Sequence, residues 1–276
     1  MNYLSNFPKT ALLSLNKGFY LFKLTPATIF TNRITGCLIL HSKNNRTMKK
    51  TRIAALGDSL TKGVILNDRN RYSVLEHGFI DIISNELDLS IENYGKFGCT
   101  VSFGKKMIEA HEDTIASSDY VFLEYGGNDC DFHWMEIAEA PQAEHRPKTM
   151  IESFKEQFRT LVEKVRELGS RPVIVSLPPI DSEAYFSFLS RFMDNKQKEN
   201  VMKWLGGDIG IISRWHEKYN RVLFDIAGST HTQIIDITSP FNNYDGDIRS
   251  LFCTDGIHPN AEGHKLIADS ISNIYF

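Results

Sequence analysis

Acidic residues are missing from the first part of the sequence: none precedes Asp58, although Lys9, Lys17, Lys23, Arg33, Lys43, Arg46, Lys49 and Lys50 all do. Cysteine is sparse. Cys37, Cys99, Cys130 and Cys253 are far apart and show no paired zinc-ligand spacing, which excludes a disulfide framework and a structural metal site and suits a reducing, cytoplasmic compartment. No apolar run is long enough to span a bilayer, because Lys17, Lys23 and Arg33 interrupt the hydrophobic stretches near the start. The body lacks a concentrated basic stripe and the formal net charge is -3, so no nucleic-acid partner is expected. Internal repeats and low-complexity tracts are absent.

What is present is the composition of an ordinary globular protein, 42% hydrophobic and 24% charged over 276 residues, enough for one α/β domain with a large core. Three readings compete for the basic start: a transit-like peptide, a lipoprotein signal ending at Ile34-Thr35-Gly36-Cys37, or sequence upstream of a true start at Met48. Arg33 breaks the apolar region a lipoprotein signal needs, and lysines outnumber the arginines a transit peptide favours. The third reading is preferred, which makes residues 1–47 a basic extension apart from a domain at 48–276.

From Arg52 onward short apolar runs alternate with longer amphipathic stretches, the pattern of βα units around a parallel sheet. Strands are predicted near 53–56, 91–94, 120–124, 173–177 and 233–237, and helices near 73–87, 104–115, 149–168, 209–227 and 261–274. The helix at 149–168 carries Ile151, Phe154, Phe158, Leu161, Val165 and Leu168 at helical spacing, with Thr149 and Glu152 placed as a capping box. Five strands in an open, doubly wound sheet follow. Ligands bind such sheets outside the carboxyl ends of the strands, so the residues after each strand matter most.

After the first strand stands Gly57-Asp58-Ser59-Leu60, where a serine could expose its hydroxyl and aim its own N–H at an oxyanion, or simply cap a helix. The second strand runs into Asn93-Tyr94-Gly95-Lys96-Phe97-Gly98, whose glycines permit close backbone approach or a plain turn. The third ends in Glu124-Tyr125-Gly126-Gly127-Asn128-Asp129, where Asn128 could donate an amide N–H to an oxyanion or close an Asx turn. Ahead of the last helix, Asp255-Gly256-Ile257-His258 places an acid three residues before a histidine, close enough to hold Nδ1 and leave Nε2 as a base. Each feature has a bland reading. Their coincidence in this order does not.

These four blocks resemble those of the GDSL/SGNH hydrolase family over the chain from about Ile53 to the end. The resemblance implies Ser59 as nucleophile, Asp255 and His258 as the rest of a triad, and an oxyanion hole made by the Ser59 and Gly98 N–H groups with the Asn128 amide. It also implies a flavodoxin-like, three-layer α/β/α fold with a mostly parallel five-stranded sheet, no metal and no cofactor. The function expected is a serine esterase acting on an acylated sugar or a small acyl ester. A thioesterase, a lysophospholipase and a non-catalytic carbohydrate- or acyl-binding module on the same fold are the alternatives.

Rival chemistries lack their partner motifs. Ser59-Leu60-Thr61-Lys62 fits S-x-x-K, but neither S-D-N nor K-T-G occurs downstream, and Thr61 stands where a G-x-S-x-G elbow needs its second glycine. Asp129, Asp131 and His133 read as turn-capping residues before they read as a metal cluster. Cys99, Cys130 and Cys253 each neighbour a block, which suggests either a redox switch or small residues packed at strand ends. Substrate contacts are expected from Asp58 and from the connection carrying Asp131, Phe132 and Trp134. A helical insertion near 181–210 presents Tyr185, Phe188, Leu189 and Phe192 on one face, either as packing onto the domain, as a dimer contact, or as a lid. Intact mass of the protein from its native host tests the start: the expected mature chain begins at Met48, and one beginning well before it refutes that start.

Overall fold

Side-chain alternation along the strands divides the protein into two cores, one on each face of a sheet. In the computed structural model, which describes residues 49–275, the first strand sends Ala54 and Leu56 to one face and Ile53 and Ala55 to the other. The extension 1–47, Met48 and Cys37 lie outside the described residues. In chain order the strands are β1 (Arg52–Gly57), β2 (Val64–Leu66), β3 (Tyr72–Val74), β4 (Ser90–Asn93), β5 (Tyr120–Glu124), β6 (Arg171–Val175) and β7 (Gln233–Ile235). The principal sheet runs β4-β1-β5-β6-β7 with every pair parallel, the doubly wound order of flavodoxin-like folds. Both of its faces are covered, as a parallel sheet requires.

The helices are α1 (Ser59–Lys62), α2 (Phe79–Glu86), α3 (Val101–Ala110), α4 (Glu112–Ser117), α5 (Trp134–Glu139), α6 (Ile151–Glu167), α7 (Ser182–Leu189), α8 (Asn195–Trp204), α9 (Ile211–Thr230), α10 (Thr238–Asn242) and α11 (Ala261–Tyr275). Leu56, Val121, Leu123 and Ile174 meet α3, α4, α6 and α9 on one face. Ile53, Phe122, Val173 and Val175 meet α2, α10 and α11 on the other. A third, smaller cluster joins Ile137 of α5, Val201 of α8, Leu205 and Ile212 of α9, and it lies in the segments that follow β5 and β6.

Three local expectations need correction. Instead of a helix at 73–87, Tyr72–Val74 pairs antiparallel with Val64–Leu66, and helix begins only at Phe79. The cause is the turn between them: the Asn67 side chain accepts the Arg69 and Arg71 N–H groups and Asn70 takes φ 55°, which closes a hairpin. The helix at 104–115 is two, α3 and α4, meeting at His111. The capping box at Thr149 does not form, because α6 starts after Met150 with no side-chain cap and the Thr149 hydroxyl bonds Asp129 instead.

His264 ties α11 to α2. Its Nδ1 accepts the Phe79 N–H at 3.2 Å, its ring stacks on Phe79, and it is wholly buried. Burial, with the nearby His258 adding to it, pulls its pKa down to about 4. The folded protein therefore resists protonating this ring while the unfolded chain accepts a proton near pH 6.5, so the contribution of His264 is complete above that pH and fades as pH falls toward 4. A shift of this size corresponds to about 3 kcal/mol. In denaturant unfolding of wild type and His264→Gln, the stability lead of wild type at pH 7.5 should shrink by that order on going to pH 4.5. A pH-independent difference would show that the ring is not held neutral.

Candidate active site

The serine turn is built by β1. Asp58 caps α1, its Oδ1 accepting the Leu60 N–H at 2.9 Å, and this places Ser59 in the first turn of a helix at the carboxyl end of the strand. The second block braces it from the side: Asn93 Nδ2 donates to the Thr61 carbonyl at 2.7 Å, and a Cβ on Gly95 would strike the Thr61-Lys62 backbone. Gly95 thus serves close packing against α1. Gly98 has open space around it but holds φ 73°, a left-handed conformation that glycine adopts without strain.

His258 Nε2 lies 3.0 Å from Ser59 Oγ, across 199 residues of sequence. On the other side of the ring, Nδ1 lies 2.7 Å from Asp255 Oδ2. Asp255 is fully buried, and its Oδ1 accepts the N–H groups of Ile257 and His258. Burial pushes its carboxyl up, yet the bonds from His258 and Ile257 outweigh it and the pKa ends below the usual value. A carboxylate that stays charged at this point fixes the Nδ1–H tautomer and leaves Nε2 to accept from the serine hydroxyl.

Ser59, Gly98, Asn128 and His258 line one cavity of about 560 Å³. Neither the Ser59 nor the Gly98 N–H donates to any acceptor among the described residues. Asn128 Nδ2 gives one hydrogen to Asp58 Oδ2 at 2.9 Å and keeps the other. Asp58 is buried, with both its oxygens occupied by Leu60 and Asn128. Asp131, Phe132 and Trp134 also line the cavity, but Asp131 is filled: its Oδ1 accepts from Trp134 Nε1 and the Tyr185 hydroxyl, its Oδ2 from Lys148, all at 2.8 Å. Asp129 accepts the Val101 N–H at the start of α3 and a bond from Thr149, and burial, opposed by those two bonds, raises it to about 7.

The insertion splits its aromatic stripe. Tyr185 and Leu189 pack into the third cluster, Phe188 lines the cavity, and Phe192 is 83% exposed because α7 ends at Leu189. The three described cysteines are free thiols. Burial raises the pKa of Cys99, Cys130 and Cys253, which keeps them protonated and poorly reactive, so packing describes them better than a redox switch.

Glu124 and Tyr72 also belong to this site, though the sequence motifs do not mark them. Glu124, at the end of β5, accepts the Asp58 N–H, the Thr61 N–H and the Thr61 hydroxyl, the last at 2.9 Å. Burial and the adjoining Asp58 charge hold its carboxyl well above the usual range. Burial raises Asp58 too, countered by the Leu60 N–H and the charge of His258. Tyr72 of the hairpin sits edge-on to the His258 ring at 5.3 Å, and burial together with Asp255 raises its phenol. An acid ending a buried strand is a usable sequence signal for Glu124; the hairpin aromatic carries none.

The uncharacterized protein YpmR of Bacillus subtilis is 24% identical over 230 residues, covering 79% of this chain and 79% of its own. The uncharacterized lipoprotein YqeF of the same organism is 22% identical, covering 80% and 88%. Among solved structures, a lipase/acylhydrolase from Enterococcus faecalis superposes with a TM-score of 0.52 at 17% identity, over 81% of this chain and 94% of that one. The acetylxylan esterase Axe2 from Geobacillus stearothermophilus gives 0.52 at 20% identity, over 82% and 94%, so the fold is shared. The model of the GDSL-like lipase/acylhydrolase family matches residues 55–266, from within β1 to past His258, and the chain accordingly belongs to that family and is a hydrolase of the esterase type.

Proposed function

We propose that the protein cleaves a carboxylic ester through an acyl-enzyme on Ser59. The observation that carries this reading is the unbroken line from Ser59 Oγ to His258 Nε2 at 3.0 Å and from His258 Nδ1 to Asp255 at 2.7 Å. As Ser59 attacks the carbonyl, His258 takes its proton and Asp255 stabilises the resulting imidazolium. Charge develops on the carbonyl oxygen, where the Ser59 and Gly98 N–H groups and the remaining Asn128 N–H would receive it. His258 returns the proton to the leaving alcohol. Water then repeats the sequence and frees the acid.

An acylated sugar or a small acyl ester remains the substrate reading, supported by the shared fold with an acetylxylan esterase. Asp58 serves in it by holding Asn128 and α1. The cytoplasm remains the proposed compartment, supported by three free thiols, and no helix among the described residues is long and apolar enough to cross a membrane. The lipoprotein relative YqeF favours the opposite placement, which a lipid-modified Cys37 in the host protein would establish.

Ser59→Ala should lose nearly all hydrolysis of p-nitrophenyl acetate and all labelling by a fluorophosphonate probe; wild-type rates in that variant would end the assignment. Asn128→Ala should lower kcat by about 100- to 1,000-fold with an unchanged circular dichroism spectrum. For Asp255→Asn the expected loss is about a thousandfold or more, because the ring no longer has a carboxylate to fix its tautomer. Kinetics on purified variants read both, and a loss under tenfold in either would remove that residue from the mechanism.

A further inference from the structure

The cavity extends well past the serine, lined by Trp134 of α5, Trp204 of α8 and the first turns of α9. Most of its deep polar groups are already paired. Asp131 is filled by Trp134, Tyr185 and Lys148, and Trp215 Nε1 donates to the Cys130 carbonyl at 2.9 Å. A polyhydroxylated ligand would find few partners on such walls.

His216 is different. It lies on α9, is 6% exposed and lines the cavity. Neither of its ring nitrogens has a hydrogen-bond partner among the described residues, and burial is the sole influence on its protonation. Yet its nitrogens are not sealed in as His264 Nε2 and the Tyr125 hydroxyl are. With the side chain shielded from bulk solvent, those nitrogens open onto the cavity. Burial pulls the pKa down to about 4, so near neutral pH the ring offers one N–H donor and one bare acceptor and suits a dipole rather than an anion. A plain hydrocarbon packed there would leave it unpaired, a penalty of about tenfold to a hundredfold in binding.

We propose that the cavity receives the larger, mainly hydrocarbon half of the ester and that His216 hydrogen-bonds a neutral oxygen carried part-way along it, which makes His216 a specificity-determining residue. This rests on the Ser59 esterase reading and, of the two substrates offered for it, takes the acyl ester in place of the acylated sugar. The oxygen is a hydroxyl, ether or carbonyl, because an anion would face an uncharged ring and a cation a poor acceptor.

The full chain is assayed with p-nitrophenyl octanoate and with its analogues bearing a ketone at carbon 5, 6 or 7. A second arm uses octyl acetate and the matching keto-octyl acetates, so that acyl-side and alcohol-side seating are told apart. In one arm, one ketone position should raise kcat/KM about tenfold or more over the plain chain. His216→Leu should reverse that ranking, lowering the keto ester and raising the plain one, chiefly through KM. His216→Gln, which keeps a donor and an acceptor, should retain part of the preference. Wild type indifferent to ketone position in both arms overturns the proposal, with no variant needed. So does a His216→Leu variant that depresses keto and plain esters by the same factor, as a merely structural histidine would. Failure of the esterase reading looks different: wild type would neither hydrolyse p-nitrophenyl acetate nor take the fluorophosphonate label.

Discussion

A buried carboxylate at the end of the first strand organises everything around the serine. Asp58 uses one oxygen to cap the short helix that presents Ser59 and the other to hold Asn128, so two stretches separated by 70 residues are fixed relative to each other by one charge. A charge in such a place is expensive unless its lone pairs are filled. Hydrogen bonds to an ionised group are worth about 1.5–3 kcal/mol each, and Asp58 accepts two, while burial and the Asp58 charge hold the Glu124 carboxyl beneath it well above the usual range. The serine turn is therefore rigid before any substrate arrives, which is the condition for electrostatic stabilisation of a transition state.

The site is assembled in two tiers. Strand ends and the loop before α11 contribute the groups proposed for the chemistry, all anchored to the two cores of the sheet. Segments after β5 and β6 add the cavity, anchored to a third cluster. The tiers meet at Gly256: the Asp181 N–H at the start of the insertion donates to its carbonyl at 2.8 Å, and a Cβ there would meet Ala184 and the Tyr185 N–H. The segment after β6 thus packs against the Asp255-His258 loop at this one point.

Esterase chemistry and substrate selection are separable on this scaffold for a physical reason. Attack on an ester needs a small set of atoms placed to within tenths of an ångström, and the parallel sheet supplies that placement. Discrimination needs only volume and one or two dipoles in an otherwise dry wall, which loosely related insertions provide. The two solved structures that share the fold do so at only 17% and 20% identity, so the scaffold tolerates wide change in sequence.

The five strands of the main sheet, the order of α and β elements and the family blocks were legible in the sequence because each depends on local periodicity or on residues adjacent in the chain. The boundaries at Tyr120 and Glu124 coincide with the predicted ones, and the run Asp255 to His258 carries its own geometry within one turn. Tertiary structure alone decided the rest. The hairpin at Tyr72 formed where a helix was expected, because an Asx turn at Asn67 outweighed apolar spacing. Thr149 left its capping place for Asp129, and Asp131 surrendered its carboxylate to Trp134, Tyr185 and Lys148. The unpaired ring of His216 could not be foreseen, because whether a buried polar group is satisfied depends on neighbours brought in from distant parts of the chain, and sequence patterns record only the nearby ones.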